Sequence, residues 1–205
     1  MLLDAVRADW NRAENLRQMA LSAPRFGDDS EAANALAGRI LKDLFNGTRD
    51  LKNERGGAFQ LGLYNYVDIV DWASKTSATP DGRRKGDFLT QGLTPSRRAG
   101  GMSLTTVFRS CSSLDLSKFP ANSLLTVSLA RNGIDCAILR ALEYSFAESG
   151  IGMLQLNCID RSQLEDARIH PENHTDLIVR LYGYSARFVT LTAKMQEEFL
   201  SRPVY

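Results

Sequence analysis

The sequence predicts a mixed α/β fold on three observations. Apolar residues recur on a 3.6-residue period over Leu2–Ala20, Glu31–Phe45 and Ile134–Ser149, which marks helices with one buried face. Met153–Ile159 alternates apolar and polar side chains, the two-residue period of a strand. No internal repeat, low-complexity tract or clear linker divides the 205 residues, which suffice for one domain with a proper core.

In chain order, the first helix spans Leu2–Ala20 and carries Trp10 on its apolar stripe. Residues 23–30 form a loop that supplies capping groups for the next helix, Glu31–Phe45. Asn46-Gly47 is a C-terminal stop signal for that helix. Arg55–Tyr66 is glycine-rich and aromatic, more extended than helical. Thr76–Gly101 is the longest irregular stretch; loops of this length in a compact domain are usually functional or covered by a partner. Ser103–Leu114 and Ser123–Leu129 fit either a strand or a short helix. Ile134–Ser149 is a helix closed by Gly150, Met153–Ile159 a strand and Arg161–Arg168 a short helix. Asp176–Tyr182 is a strand entering a glycine loop, Arg187–Leu191 leaves it, and Ala193–Arg202 is a terminal helix.

Composition excludes several classes. A formal net charge of +1 gives no electrostatic reason to expect nucleic acid or an anionic membrane as partner. No apolar run approaches the ~20 residues of a membrane span, and the N-terminus lacks a secretory signal, so residence in the cytoplasm is expected. The three cysteines, Cys111, Cys136 and Cys158, have neither disulfide-framework nor metal-ligand spacing. His170 and His174 lie four apart, but Pro171 disfavours a regular helix between them and no third ligand is evident, so no metal site is expected.

The informative segment is Arg180-Leu181-Tyr182-Gly183-Tyr184-Ser185-Ala186-Arg187-Phe188. Only glycine has a Cα with two hydrogens and no side chain. Loss of one hydrogen leaves a radical that flattens and delocalises into both neighbouring peptide groups, and a Cβ would hinder that. The RxxGYSAxF pattern resembles the glycyl radical signature of the pyruvate formate-lyase and diol dehydratase superfamily. Further segments resemble the same superfamily in the same order: Pro24–Asp29, Ala78-Thr79-Pro80-Asp81-Gly82-Arg83, Pro95-Ser96, Leu154-Gln155-Leu156-Asn157 and Asp176–Arg180. The resemblance therefore covers nearly the whole chain.

What the resemblance implies is the C-terminal part of a ten-stranded α/β barrel, completed by a partner chain. Residues 1–75 would be a helical N-terminal segment and 76–205 a glycine radical domain, with the glycyl loop at 180–188. Gly183 would carry the radical, with Arg180, Tyr182, Tyr184, Ser185, Gln155 and Asn157 as loop support or binding residues. In this family the stored radical takes hydrogen from a cysteine, and the thiyl radical then takes hydrogen from substrate. The family's cysteine loop lies upstream of the segment matched by Pro24–Asp29, so it is expected on another chain. None of the three cysteines has the family's sequence context. No bound cofactor is expected; a radical S-adenosylmethionine activating enzyme with an iron–sulfur cluster would install the radical on a loop that swings out.

Three readings follow: the radical-bearing small subunit of a split lyase or dehydratase, an autonomous spare part that restores an oxygen-damaged lyase, or an inactive remnant or binding module. About 180 residues precede Gly183, more than repair at the glycine needs, which favours the split enzyme. Burial of Gly183 away from oxygen would then fall to the partner's barrel. Arg83, Arg84, Arg97 and Arg98 flank the long loop, either to meet an anionic substrate or as solvated and interface charges. After Pro95-Ser96 the sequence departs from the family pattern, so substrate identity is not legible.

Overall fold

The N-terminal apolar stripe folds as two helices rather than the single one expected. α1 (Leu2–Arg7) and α2 (Glu14–Ser22) are separated by a tight turn in this computed structural model, which describes residues 1–96 and 102–205. Asp9, Trp10 and Arg12 in the turn take φ values of 54°, 63° and 60°. Left-handed backbone costs an L residue about 1–2 kcal/mol. Burial of Trp10 offsets that cost: its ring is enclosed with Ala5 and Ala78, and Nε1 donates to the Arg83 carbonyl at 3.2 Å, 73 residues away. A tertiary contact of that range overrides the local periodicity.

α3 (Glu31–Thr48) starts at Ser30, whose hydroxyl accepts from the Ala33 amide at 3.4 Å. It runs through the expected stop at Asn46-Gly47, and the Thr48 hydroxyl closes it by donating to the Leu44 carbonyl at 2.8 Å. α4 (Ile69–Lys75) has no counterpart among the expected elements. Ser103–Leu114 resolves as a helix, α5 (Leu104–Ser112), burying Val107, Phe108 and Cys111.

The main sheet is a parallel pair, β1 (Leu124–Ala130) and β2 (Met153–Ile159), with Leu124 opposite Met153 and Ala130 opposite Ile159. Parallel neighbours need a long crossover, and α6 (Cys136–Ser149) supplies it. Asp135 caps α6 by accepting from Ile138 N at 2.8 Å, and Gly150 ends it with φ 70°. β1 is buried on both faces from Leu124 to Leu129, so that Thr126 and Ser128, which alternate with Leu125, Val127 and Leu129, are covered as well. Its edge away from β2 is covered. Leu124 N donates to Leu63 O at 3.0 Å, Leu93 N donates to Leu124 O at 2.8 Å, and the chain end pairs at Ser128 and Ala130 through Tyr205. The outer edge of β2 is different. Leu154, Leu156 and Cys158 turn their backbone groups away from β1, and none has a backbone partner there among the described residues.

A second core holds the C-terminal third. α7 (Arg161–Ile169), the antiparallel hairpin β3 (Ile178–Arg180) and β4 (Ser185–Arg187), and α8 (Ala193–Leu200) enclose Leu164, Val179, Leu181, Phe188 and Phe199. The strand expected over Asp176–Tyr182 is shorter, and of Arg187–Leu191, which leaves the loop, only Arg187 belongs to a strand. Phe188–Thr190 forms a 3-10 turn because Phe188 folds inward, its amide donating to Leu177 O at 2.8 Å and its ring lying edge-on to Phe199. Among the described residues the named strands form two two-stranded sheets, so no barrel closes within this chain.

Residues 76–96 contain no helix or strand, yet they are braced. Arg25 is buried; its guanidinium donates to Asp81 O at 2.6 Å, Ser96 Oγ at 3.0 Å and Ala20 O at 3.3 Å. Three segments that carry the family resemblance thus meet at one side chain. Arg17 Nε donates to Gly82 O at 2.8 Å, so α2 clasps the same turn. Arg83 is taken up by the carbonyls of Thr76, Ser77 and Asp87, and Arg84 by Glu14 Oε2 at 2.9 Å and Asp9 O at 2.9 Å. Both arginines brace the loop through groups of this chain. Arg97 and Arg98 lie outside the described residues.

Candidate functional site

Gly183 sits at the tip of the β3–β4 hairpin. Leu181 N donates to Tyr184 O at 2.8 Å, making Leu181–Tyr184 a four-residue turn with Gly183 in its third position. Its φ is +91°, a conformation that glycine adopts without penalty and L side chains rarely adopt. Gly183 N also donates to Leu181 O at 2.8 Å, an inverse γ-turn about Tyr182. A Cβ built on Gly183 would meet no atom within 4 Å, so neighbouring atoms do not impose glycine here; the backbone torsion does.

Two side-chain amides of β2 seat this turn. Alternation along the strand puts Gln155 and Asn157 on one face, both buried. Asn157 makes a paired contact with Arg180: Oδ1 accepts from Arg180 N at 2.9 Å and Nδ2 donates to Arg180 O at 3.1 Å. Gln155 spans the turn, donating to Arg180 O at 3.2 Å and accepting from Gly183 N at 3.3 Å. Together they satisfy backbone groups that a three-residue strand cannot pair by itself, and they fix the glycine amide directly.

The remaining loop residues divide. The Arg180 guanidinium reaches across the hairpin to Ser185 Oγ at 3.2 Å, and among the described residues it forms no ion pair. Ser185 and Tyr184 are exposed, as is Gly183 itself. Burial of Gly183 is therefore not supplied by this chain. Tyr182 is half-buried and turns its hydroxyl inward to Glu198 Oε2 at 3.2 Å. Burial, and then the adjacent Glu198 carboxylate, push the Tyr182 phenol above its ordinary range, so it remains a proton donor.

Glu198 was not legible as a site residue. It lies on α8, buried with Arg202 as an i, i+4 pair at 2.9 Å, and accepts from Gln91 Nε2 at 2.6 Å. Its one sequence signal is the Glu–Arg spacing, which ordinarily describes a solvated helix pair.

The three cysteines lie on other elements or faces than the seat of the glycine turn. Cys158 lies on β2 but on the face opposite Gln155 and Asn157. Cys136 opens α6 and is exposed. Cys111 is buried in the main core, and burial pushes its thiol up to about 12. The two histidines do not converge: His170 pairs with Glu172 at 3.6 Å and His174 with Asp166 at 2.6 Å. Among the described residues no helix is long and apolar enough to cross a membrane.

Comparison with known proteins bears on this arrangement. Residues 89–189 match the glycine radical family, and residues 1–70 match the pyruvate formate lyase-like family. The chain belongs to the glycyl radical enzyme superfamily. It is 30% identical to "Probable dehydratase YbiW" of Escherichia coli (strain K12), over 92% of this chain and 25% of that protein. A solved glycyl radical enzyme from Archaeoglobus fulgidus superposes with a TM-score of 0.91 at 31% identity, covering 98% of this chain and 26% of that one. A Roseburia inulinivorans structure describing 1,2-propanediol dehydration gives 0.92 at 28% identity, covering 100% of this chain and 27% of that one. The chain spans about a quarter of the length of the curated relatives it matches.

Proposed function

We propose that Gly183 stores a backbone radical and that this chain is the radical-bearing part of a split lyase or dehydratase. A large subunit would carry the cysteine loop, most of the barrel and the substrate pocket. In the transfer step the Gly183 Cα radical takes the hydrogen of that subunit's cysteine S–H, giving glycine and a thiyl radical. After turnover the hydrogen returns. A radical S-adenosylmethionine activating enzyme would remove the first hydrogen from Gly183. Arg180, Gln155 and Asn157 would hold the turn in register for both events, with Tyr182, Tyr184 and Ser185 shaping its flanks.

The observation that carries this reading is the Gly183 turn: glycine at φ +91°, fixed through its own amide by Gln155, with open space at Cα. Three surfaces support a large partner. Gly183 is exposed although a stored radical needs shelter from oxygen. β2 leaves one edge unpaired, a liability in an isolated sheet. α3 presents Leu36, Ile40 and Leu44 to solvent in a stripe at i, i+4 and i+8. The division at residue 76 belongs to the same proposal, although Trp10 and Ala78 share one small core across it.

The test is anaerobic activation in three mixtures: this protein with activating enzyme alone, with a candidate large subunit, and with an oxygen-cleaved full-length lyase. A split enzyme predicts an organic-radical doublet and substrate turnover only with the large subunit. Restored activity of the cleaved lyase would instead make the chain a spare part.

A further inference from the structure

We propose that Glu198 is a positioning residue that, through Tyr182, holds the glycine turn on its seat and so sets how readily Gly183 leaves it. The inference deepens the radical reading and rests on it for its purpose, though not for its test.

Glu198 is 2% exposed and Arg202 5% exposed, so a complete ion pair has been taken out of water. Such pairs seldom repay their desolvation cost in stability. Among the described residues this one is not even fully satisfied, since Arg202 Nη1 is buried without a hydrogen-bond partner there. Nor is it needed to anchor α8, because Phe199 and Leu200 already bury that helix against Leu164, Val179 and Phe188. What the pair does have is reach. Among the described residues the Glu198 carboxylate gathers donors from three places: Gln91 on the long loop, Arg202 just past the end of α8, and Tyr182 on the hairpin tip. The Arg202 guanidinium also lies over the Tyr182 ring, 5.6 Å from its centroid, and over Phe199 at 4.5 Å. Tyr182 is thus held by hydroxyl and by ring face, one residue from Gly183.

The turn is therefore fastened at two points of different kind. Gln155 and Asn157 grip its backbone from β2, and Glu198 grips its side chain from α8. On the far side Tyr184 and Ser185 are exposed, and among the described residues the Ser185 hydroxyl meets only the Arg180 guanidinium of the same hairpin. With three paired residues in each strand, the hairpin has little cooperative stability of its own. Any outward movement of Gly183 must draw Tyr182 off Glu198.

Amide hydrogen exchange read by mass spectrometry tests this on the full chain. Tyr182→Phe removes the hydroxyl alone, and Glu198→Gln keeps the shape while removing the charge. The expected result is about tenfold faster exchange at Leu181 and Gly183 in both variants, with β1, β2 and α8 unchanged. Unaltered turn exchange in Tyr182→Phe overturns the proposal. So does acceleration spread equally over α8 and the sheet, since that is the mark of a merely structural pair. Should Glu198→Gln fail to fold, Tyr182→Phe decides the matter by itself. Exchange needs no radical. A wild-type protein that never gives a doublet would sink the radical reading and leave this one standing.

Discussion

Gly82 and Gly183 share almost one backbone torsion, φ +94° and +91°, but differ in everything around it. Gly82 is buried in the Thr79–Arg83 turn, where a Cβ would lie 2.8 Å from Leu21 Cγ and 3.4 Å from the Arg17 carbonyl oxygen. Its glycine is explained by packing. Gly183 is exposed, and a Cβ there would touch nothing within 4 Å. Packing accounts for the first glycine and leaves the second without a structural reason beyond its torsion. A glycine at an open turn, its amide held by the buried side chain of Gln155, suits the radical storage proposed for it.

That contrast can be strained at both ends. Trp10→Ala attacks the walled turn most strongly, because it removes the fully enclosed ring that joins α1 to the Arg83 carbonyl. The expected loss is about 3–5 kcal/mol, read by thermal or denaturant unfolding. Gly82→Ala adds a clash to an unfavourable torsion and should cost about 2–4 kcal/mol. Gly183→Ala meets torsional strain alone, so about 1–3 kcal/mol is expected. If the two alanine variants lose equal stability, the distinction between the glycines fails.

Smaller effects sharpen the open turn. Asn157→Ala leaves the Arg180 amide without its side-chain partner and the carbonyl with Gln155 alone, and should cost about 1–3 kcal/mol. The loss should appear as faster exchange confined to the hairpin; exchange unchanged there would remove Asn157 from the seat. Smallest is a labelling contrast in the walled core. The Cys111 thiol, pushed up to about 12 by burial, stays protonated at mildly alkaline pH, where thiolate is the reactive form. Alkylation should spare Cys111 until the protein is unfolded, and native labelling there would show the core to be open.

Much of this was legible because local pattern and tertiary environment agree. β2 alternates since one face meets the hairpin and the other the core, and its bounds match the strand expected over Met153–Ile159. Gly150 ends α6 as a left-handed cap should. The positions of Gln155 and Asn157 on one face followed from the same alternation. The rest depended on distant partners. Positive φ at Asp9, Trp10 and Arg12 is set by a carbonyl in the long loop, and no local signal announces it. β1 is buried on both faces, Thr126 and Ser128 included, and that double burial comes from its neighbours rather than from its own alternation. Glu198 and Arg202 look like a surface pair until the hairpin docks over them.

The most direct measurement is anaerobic electron paramagnetic resonance of the protein with a candidate large subunit and activating enzyme, followed by air and intact-mass analysis. The account predicts an organic-radical doublet in the wild type and, after oxygen, cleavage of the chain at Gly183, with both absent from Gly183→Ala. A wild type with no doublet and no cleavage, beside an activating enzyme proven on another substrate, would contradict it.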